Sequence, residues 1–345
     1  MPQGVTNNPN FETDVAIIGA GPVGLFAVFE CGMVGLKCHV IDSLEQIGGQ
    51  CTALYPEKPI YDIPAYPEIM AADLIENLEK QAAPFNPVYH LNQQVVSISN
   101  NDANVELMTS KGNTIKAKAI IIAGGSGAFG PNKPPLEGLD TYEGKSVFYM
   151  VRQKQDFADK DVVIAGGGDS AVDWTLSLAT IAKSVRLVHR RDKFRAAPEN
   201  VKKLHDLHAA GNIEIVTPYQ LKSLEGNDGI LAAVNVADME GNIRSLKADI
   251  LLPFYGLAMD LGPIADWGLD LEHHHIQVHP TTCRTNQKNI YAIGDIAAYE
   301  NKKKLILTGF SEAAFAAYDI YKLINPDQPL HFEYSTTKGV PSDQR

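Results

Sequence analysis

Apolar residues come along this chain in short unbroken blocks, most of them ended by glycine or by a polar turn. Between several blocks the apolar spacing lengthens to that of a helix. Val15 to Ile18 and Cys38 to Ile41 are two such blocks, with an apolar helical stretch between them. Four-residue apolar blocks bounded by glycine read as parallel strands covered on both faces. Val95 to Ile98, Val105 to Met108 and Thr114 to Ile122 follow as strands, with polar turns at Asn100-Asn101 and Lys111-Gly112-Asn113. The strand–helix–strand pattern then returns as Val162 to Ala165, a helix through Ala182, and Val185 to Val188. Ile213 to Val216, Ile230 to Val236, Ile250 to Phe254 and Asn289 to Ile293 read as later strands. Ile69 to Ala83, Glu199 to Ala210 and Glu312 to Ile324 read as helices. Strands alternating with helices predict an α/β fold.

Glycine sharpens that prediction. Gly19-Ala20-Gly21-Pro22-Val23-Gly24 leaves the first strand and opens the first helix, and the second strand ends in Asp42. Strand, glycine turn, helix, strand and acid together form a dinucleotide fingerprint, where the glycines alone would be a mere tight turn. Gly19 allows the turn, Gly21 lets backbone approach a pyrophosphate, and Gly24 lets helix and strand pack. Asp42 is placed to accept a hydrogen bond from a ribose hydroxyl. The second unit carries Gly166-Gly167-Gly168-Asp169-Ser170-Ala171, followed by His189, Arg190, Arg191 and Arg195. The strand-end position follows the first glycine by 23 residues in both units, 19 to 42 and 166 to 189. It is an acid in the first and opens a cationic run in the second. An acid suits an unphosphorylated ribose, whereas guanidinium groups pair with a 2′-phosphate. The first unit thus reads as an FAD or NAD site and the second as an NADP site; the competing reading of the second is a basic surface turn. The fold class is α/β with two Rossmann-like dinucleotide-binding domains.

Two more stretches adjoin the first fingerprint. Glu45-Gln46-Ile47-Gly48-Gly49-Gln50-Cys51 precedes the proline-rich loop Leu54-Tyr55-Pro56-Glu57-Lys58-Pro59, and Ala119 to Ile122 runs into Ala123-Gly124-Gly125-Ser126-Gly127-Ala128-Phe129. Both suggest close backbone approach to a ligand. The Tyr55 ring could lie on the surface or stack on that ligand. Gly130-Pro131-Asn132-Lys133-Pro134-Pro135 reads as a stiff linker and a domain boundary.

Composition narrows the function. A chain of 345 residues exceeds one ordinary domain. A net charge of −11 argues against a nucleic-acid binder. No apolar run approaches the roughly 20 residues of a membrane span. The N-terminus MPQGVTNNPNFE lacks the basic and apolar parts of a signal peptide, so a cytoplasmic location is expected. Cys31, Cys38, Cys51 and Cys283 include no CxxC pair. The run Leu271-Glu272-His273-His274-His275 has no partner at ligand spacing and reads as a solvated loop, so no metal site is expected. Asp295 falls at a strand's C-terminal end, where parallel sheets bind ligands. The tail from Asn325 is poor in apolar residues but carries Phe332 and Tyr334.

The motifs GGGDSAVDW (166–174), HRRDKFRA (189–196) and ALYPEKPIYDIP (53–64) resemble those of the thioredoxin-reductase-like ferredoxin–NADP⁺ reductases, from about Thr13 to Thr337. The resemblance implies a homodimer whose NADPH-binding domain (131–284) is inserted into a discontinuous FAD-binding domain (1–130 and 285–330), with a flavin-covering tail at 331–345. It implies FAD contacts at Asp42, Gln50, Tyr55, Val95, Phe129, Asp295 and Thr336. Tyr55 and Tyr334 would stack on the two flavin faces, the tail coming from the partner subunit. It implies an NADPH site at Gly166, Gly168, Asp169, Ser170, Ala171, His189, Arg190, Arg191 and Arg195. The chain departs from the dithiol enzymes of this group. Phe148 to Lys154 holds no cysteine, and the position that would pair with Cys51 is Pro56. The implied chemistry is hydride transfer from NADPH to flavin, then single electrons to ferredoxin or flavodoxin, with no separate acid or base. Because two stacking rings leave no room for nicotinamide, a ring or a domain is expected to move. Lys302-Lys303-Lys304 is a candidate docking patch for an acidic partner, or else a solvated loop. An NADPH-dependent disulfide or small-molecule reductase and an FAD-binding redox sensor are the alternative functions.

Overall fold

The structure, a computed structural model, describes residues 10–101, 103–125, 127–328, 330 and 339–340; of 128–130 and 257–259 it describes the main chain alone. The chain forms two compact units, Met1–Phe129 with Met259–Arg345, and Gly130–Ala258.

The first unit is built on a seven-stranded sheet. Its order is Val88–His90, Cys38–Ile41, Asn10–Ile18, Thr114–Ile122, Val105–Thr109, Val95–Asn100, with Ile290–Ala292 also paired to Thr114–Ile122. The strands around the glycine turn are parallel, Ile18 lying opposite both Ile41 and Ile122. Thr114–Ile122 shares one edge between two partners. Its first half pairs antiparallel with Val105–Met108, and its last three residues pair parallel with Ile290–Ala292. The helix Pro22–Met33 and the long helix Ile306–Ile324 pack on one face. Ala27, Val28 and Cys31 meet Ala313, Ala316, Ala317 and Ile320 in one buried cluster. Small side chains on both helices let the backbones come close. The long helix begins at Ile306, six residues before the expected Glu312, because its first turn carries exposed Leu307 and half-buried Thr308 and breaks the apolar period.

The second unit holds a four-stranded parallel sheet, ordered Glu214–Val216, Ser184–Val188, Asp161–Ala165, Ile250–Pro253. Beside it lies an antiparallel meander of Gln220–Asn227, Ile230–Ala237 and Ile243–Lys247. Only the middle strand of the meander has an apolar pattern. The first hairpin was nonetheless written in Asp228-Gly229, both at positive φ (52° and 82°), a two-residue turn signal.

The return to the first unit comes at Met259 instead of residue 285. The cause is burial: Leu261, Ile264, Trp267, Leu269 and Ile276 join a core cluster with Ala16, Ile41, Val95 and Ile122. The histidine run is the turn of a small hairpin, Leu271–Glu272 with His275–Gln277, and the latter strand pairs with Ala297–Ala298. His273 sits at its tip with φ of 56°.

Candidate cofactor sites

In the first unit a cleft of about 1180 Å³, open mouth included, is lined by Gly19, Gly21, Asp42, Gln50, Tyr55, Val95 and Asp295 among others. Seven positions named from sequence thus share one cleft. The glycine turn shows why each glycine is there. A Cβ on Gly19, which has φ of +112°, would lie 2.4 Å from the Ala123 carbonyl oxygen, and one on Gly24 would lie 2.0 Å from the Gly19 oxygen. A Cβ on Gly21 would meet nothing within 4 Å, although Gly21 lines the cleft. Gly19 and Gly24 answer to the protein; Gly21 leaves open backbone facing the cleft.

Asp42 ends its strand 8% exposed. Oδ2 accepts the Ala20 N–H at 2.6 Å and Oδ1 the Leu44 N–H at 2.8 Å, so the carboxylate is locked across the glycine turn. Burial raises its pKa, and the backbone donors pull it back down. Asp42 in turn donates its N–H to the His90 carbonyl at 3.1 Å. Tyr55 and Cys51 mark another part of the cleft. Burial pushes the Cys51 thiol up to about 11, and the neighbouring Tyr55 side chain opposes that rise. Burial also raises Tyr55, and the charge of Asp295 acts on both groups. The Tyr55 ring is half-buried and lines the cleft, which decides its place if not its partner. Gly49 serves the protein as well as the cleft: a Cβ there would come within 3.1 Å of the Gly21 Cα, so the two glycine loops pass each other at close range.

Three expected contacts lie outside the described residues: the Phe129 side chain, Tyr334 and Thr336. Two residues of the cleft region escaped the sequence. Trp267 lines the cleft at 9% exposure, and its buried indole N–H has no partner among the described residues. Glu312, 1% exposed, accepts the Gly294 N–H at 2.7 Å behind the cleft wall. Neither carries a sequence signal, since each depends on a contact made far along the chain. The basic run needs correction. Lys302 is buried in an ion pair with Glu312, both side chains under a tenth exposed, and Lys304 contacts His275 at 2.6 Å. A buried, paired ammonium cannot steer a partner, so Lys302-Lys303-Lys304 is not one docking patch.

In the second unit the glycine turn repeats the logic. A Cβ on Gly166 would lie 2.6 Å from the Phe254 oxygen and 2.9 Å from the Ala171 Cβ, while one on Gly168 would meet nothing within 4 Å. The strand-end loop folds back on this turn. Arg195 donates its N–H to the Gly167 oxygen at 2.6 Å, and Asp169 Oδ1 accepts the Ala197 N–H at 2.9 Å. His189 differs from expectation. Its ring lies where a Gly167 Cβ would be, 2.2 Å away, and stacks on Phe194 at 5.5 Å. Burial first, then Arg190, lowers its pKa, which favours the neutral form. The cations that remain on this loop are Arg190, Arg191 and Arg195, all exposed, with Arg195 bridged to Gly168 through the main chain and Asp169 and Ser170 exposed beside it.

All four cysteines are free and buried. Among the described residues no cluster of three His, Cys, Asp or Glu could hold a metal, and no helix is long and apolar enough to cross a membrane.

A family model described as pyridine nucleotide-disulphide oxidoreductase matches residues 13–316. A ferredoxin–NADP reductase of Rickettsia akari is 60% identical over 326 residues, 94% of this chain and 98% of its own length. One of Paramagnetospirillum magneticum is 58% identical over 331 residues, 96% of this chain and 98% of its own. The thioredoxin reductase of Lactococcus lactis, a crystal structure, superposes with a TM-score of 0.79 at 25% identity, covering 91% of this chain and 99% of that one.

Proposed function

This chain belongs to the pyridine nucleotide-disulphide oxidoreductase family and, within it, to the ferredoxin–NADP reductases, and from that premise we propose how its residues divide the work. It is a flavin-dependent oxidoreductase of thioredoxin-reductase-like fold. In our reading the flavin is FAD, held in the first unit, and NADPH binds the second. The supporting observation is the contrast between two similar glycine turns. Each has one glycine with open space beside it, but one turn adjoins a buried carboxylate and the other three exposed guanidinium groups.

The cleft of the first unit fits a dinucleotide. It has backbone exposed at Gly21 and a fixed acid for ribose hydroxyls at Asp42. Bound there, FAD would supply two-electron chemistry toward NADPH and one-electron chemistry toward ferredoxin. The chain itself binds, orients and excludes. The glycine turn offers its N–H groups to pyrophosphate, Asp42 accepts from the ribose, and Gln50, Val95, Phe129 and Asp295 line the remainder. Tyr55 shields one face of the flavin ring system, and Tyr334 with Thr336, from the partner subunit of a homodimer, covers the other. In the second unit Gly166, Gly168 and Ala171 shape the turn at the helix N-terminus, with Asp169 and Ser170 in the first turn. Arg190, Arg191 and Arg195 pair with the 2′-phosphate, and His189 packs the loop that carries them. The chain has no CxxC or CxxxxC pair and all four cysteines are buried, so the electrons leave directly to an acceptor protein, ferredoxin or flavodoxin. We place the enzyme in the cytoplasm.

The test is NADPH oxidation coupled to cytochrome c, with and without ferredoxin. A strict ferredoxin requirement supports the reading. Turnover with a disulfide or small-molecule acceptor, and none with ferredoxin, would replace it with a small-molecule reductase.

A further inference from the structure

Behind the wall of the FAD cleft lies a charged group that hydride transfer does not use. Glu312 sits on the long helix at 1% exposure, beside Ala313 and one turn before Ala316 of the buried cluster. Its carboxylate is nevertheless fully engaged. Oε2 accepts the Gly294 N–H at 2.7 Å, and Oε1 accepts the Tyr299 hydroxyl at 2.6 Å and the Lys302 ammonium. The Lys302 ammonium also lies 5.2 Å from the centre of the Tyr299 ring. Burying two charges in an apolar core is costly and seldom adds net stability, so such a pair calls for another reason. Its address supplies one. Gly294 and Asp295 line the cleft, and the charge of Asp295 acts on Tyr55 and Cys51. The pair is thus one hydrogen bond from the cleft wall, on the Tyr55 side.

We propose that Glu312 and Lys302 are positioning residues that fix the Gly294-Asp295 turn against the flavin, each charge cancelling the other's effect on the flavin's reduction potential. This rests on the FAD reading above. Glu312 anchors the turn through the Gly294 N–H, and Lys302 balances the carboxylate. Lys302 also acts on Asp295 itself: burial raises the Asp295 carboxyl, and Lys302 and Lys304 oppose that rise. A charge buried in protein is screened less by water and salt than one at the surface.

The experiment measures FAD affinity of the apoprotein and the flavin midpoint potential of the reconstituted protein. It uses Glu312→Gln, Lys302→Met, the double variant and Lys302→Arg. Wild-type apoprotein is titrated first; if it takes up no FAD, the functional reading fails and this proposal with it. If it binds, Glu312→Gln is expected to raise the potential, because a buried positive charge is left. Lys302→Met is expected to lower it, because a negative charge is left. The double variant returns close to wild type, and Lys302→Arg stays there. FAD affinity falls about tenfold or more in Glu312→Gln, through the lost anchor on Gly294. A purely structural role would move both single variants toward the potential of free FAD and the double variant further still. That pattern, or unchanged potentials, overturns the proposal. Where one single variant does not fold, the comparison of the other with the double variant and Lys302→Arg decides.

Discussion

At the residue scale the glycines separate two demands that one motif mixes. Gly21→Ala meets no protein atom within 4 Å, so the fold should keep its stability within about 0.5 kcal/mol while FAD affinity falls at least tenfold. Gly24→Ala drives a methyl into the Gly19 oxygen and should lower stability by about 1–3 kcal/mol before any ligand is added. Thermal melts of both apoproteins, followed by FAD titration, distinguish the two; a strongly destabilised Gly21→Ala would contradict the open-backbone account. In the second unit, Arg190→Ala should raise the KM for NADPH roughly ten- to hundredfold, the worth of one charge-assisted hydrogen bond. The KM for NADH should not change, and an equal rise for both cofactors would remove Arg190 from phosphate recognition.

At the element scale the strands Cys38–Ile41 and Val88–His90 are joined by a histidine pair as well as by their ladder. His39 Nδ1 and His90 Nε2 lie 2.9 Å apart, with the Phe11 ring 4.7 Å from His90. One nitrogen must donate and the other accept, so a doubly protonated pair loses the bond. Burial lowers the pKa of both, and His90 lowers His39 further. Over the interval between those lowered values and about 6.5, the unfolded chain binds more protons than the folded one. The stability from the neutral pair is therefore whole above about pH 6.5 and is lost as pH falls below it. Thermal melts at pH 7.5 and 5.5 should show this loss, and His39→Asn should shrink it; an unchanged difference would discount the pair. The two helices packed on the same sheet depend on small side chains. Ala316→Leu should destabilise by about 1–3 kcal/mol, read as a lowered Tm.

At the scale of the whole molecule, the two units repeat one glycine-turn plan but differ in what ends the second strand, an acid at Asp42 in one and His189 followed by Arg190 and Arg191 in the other. The tail is the part of the proposal that the first unit cannot supply from its own cleft. Removing residues 331–345 should leave FAD bound but change its absorption spectrum and its rate of reduction by NADPH. Unchanged spectra and rates would dismiss Tyr334 as a flavin cover. The ferredoxin requirement belongs to this scale too, and it no longer has Lys302 to rest on.

The sequence by itself determined the parallel strands, the glycine turns, and the residue type at each strand end. All three are local: an apolar block, a backbone needing open space or positive φ, and a side chain at fixed spacing state their own physics. The first fingerprint, and the contrast between Asp42 and the run that opens at His189, were legible for that reason. Tertiary structure alone decided what depends on distant partners. Residues 259–284 look like a continuation of the second unit, yet Trp267 and Ile276 are buried in the first unit's core. Lys302 reads as a surface charge and His189 as a cation until Glu312 pairs with the one and Gly167 and Phe194 enclose the other. The desolvation that buries a charge or neutralises an imidazole comes from residues far along the chain, and spacing carries no record of it.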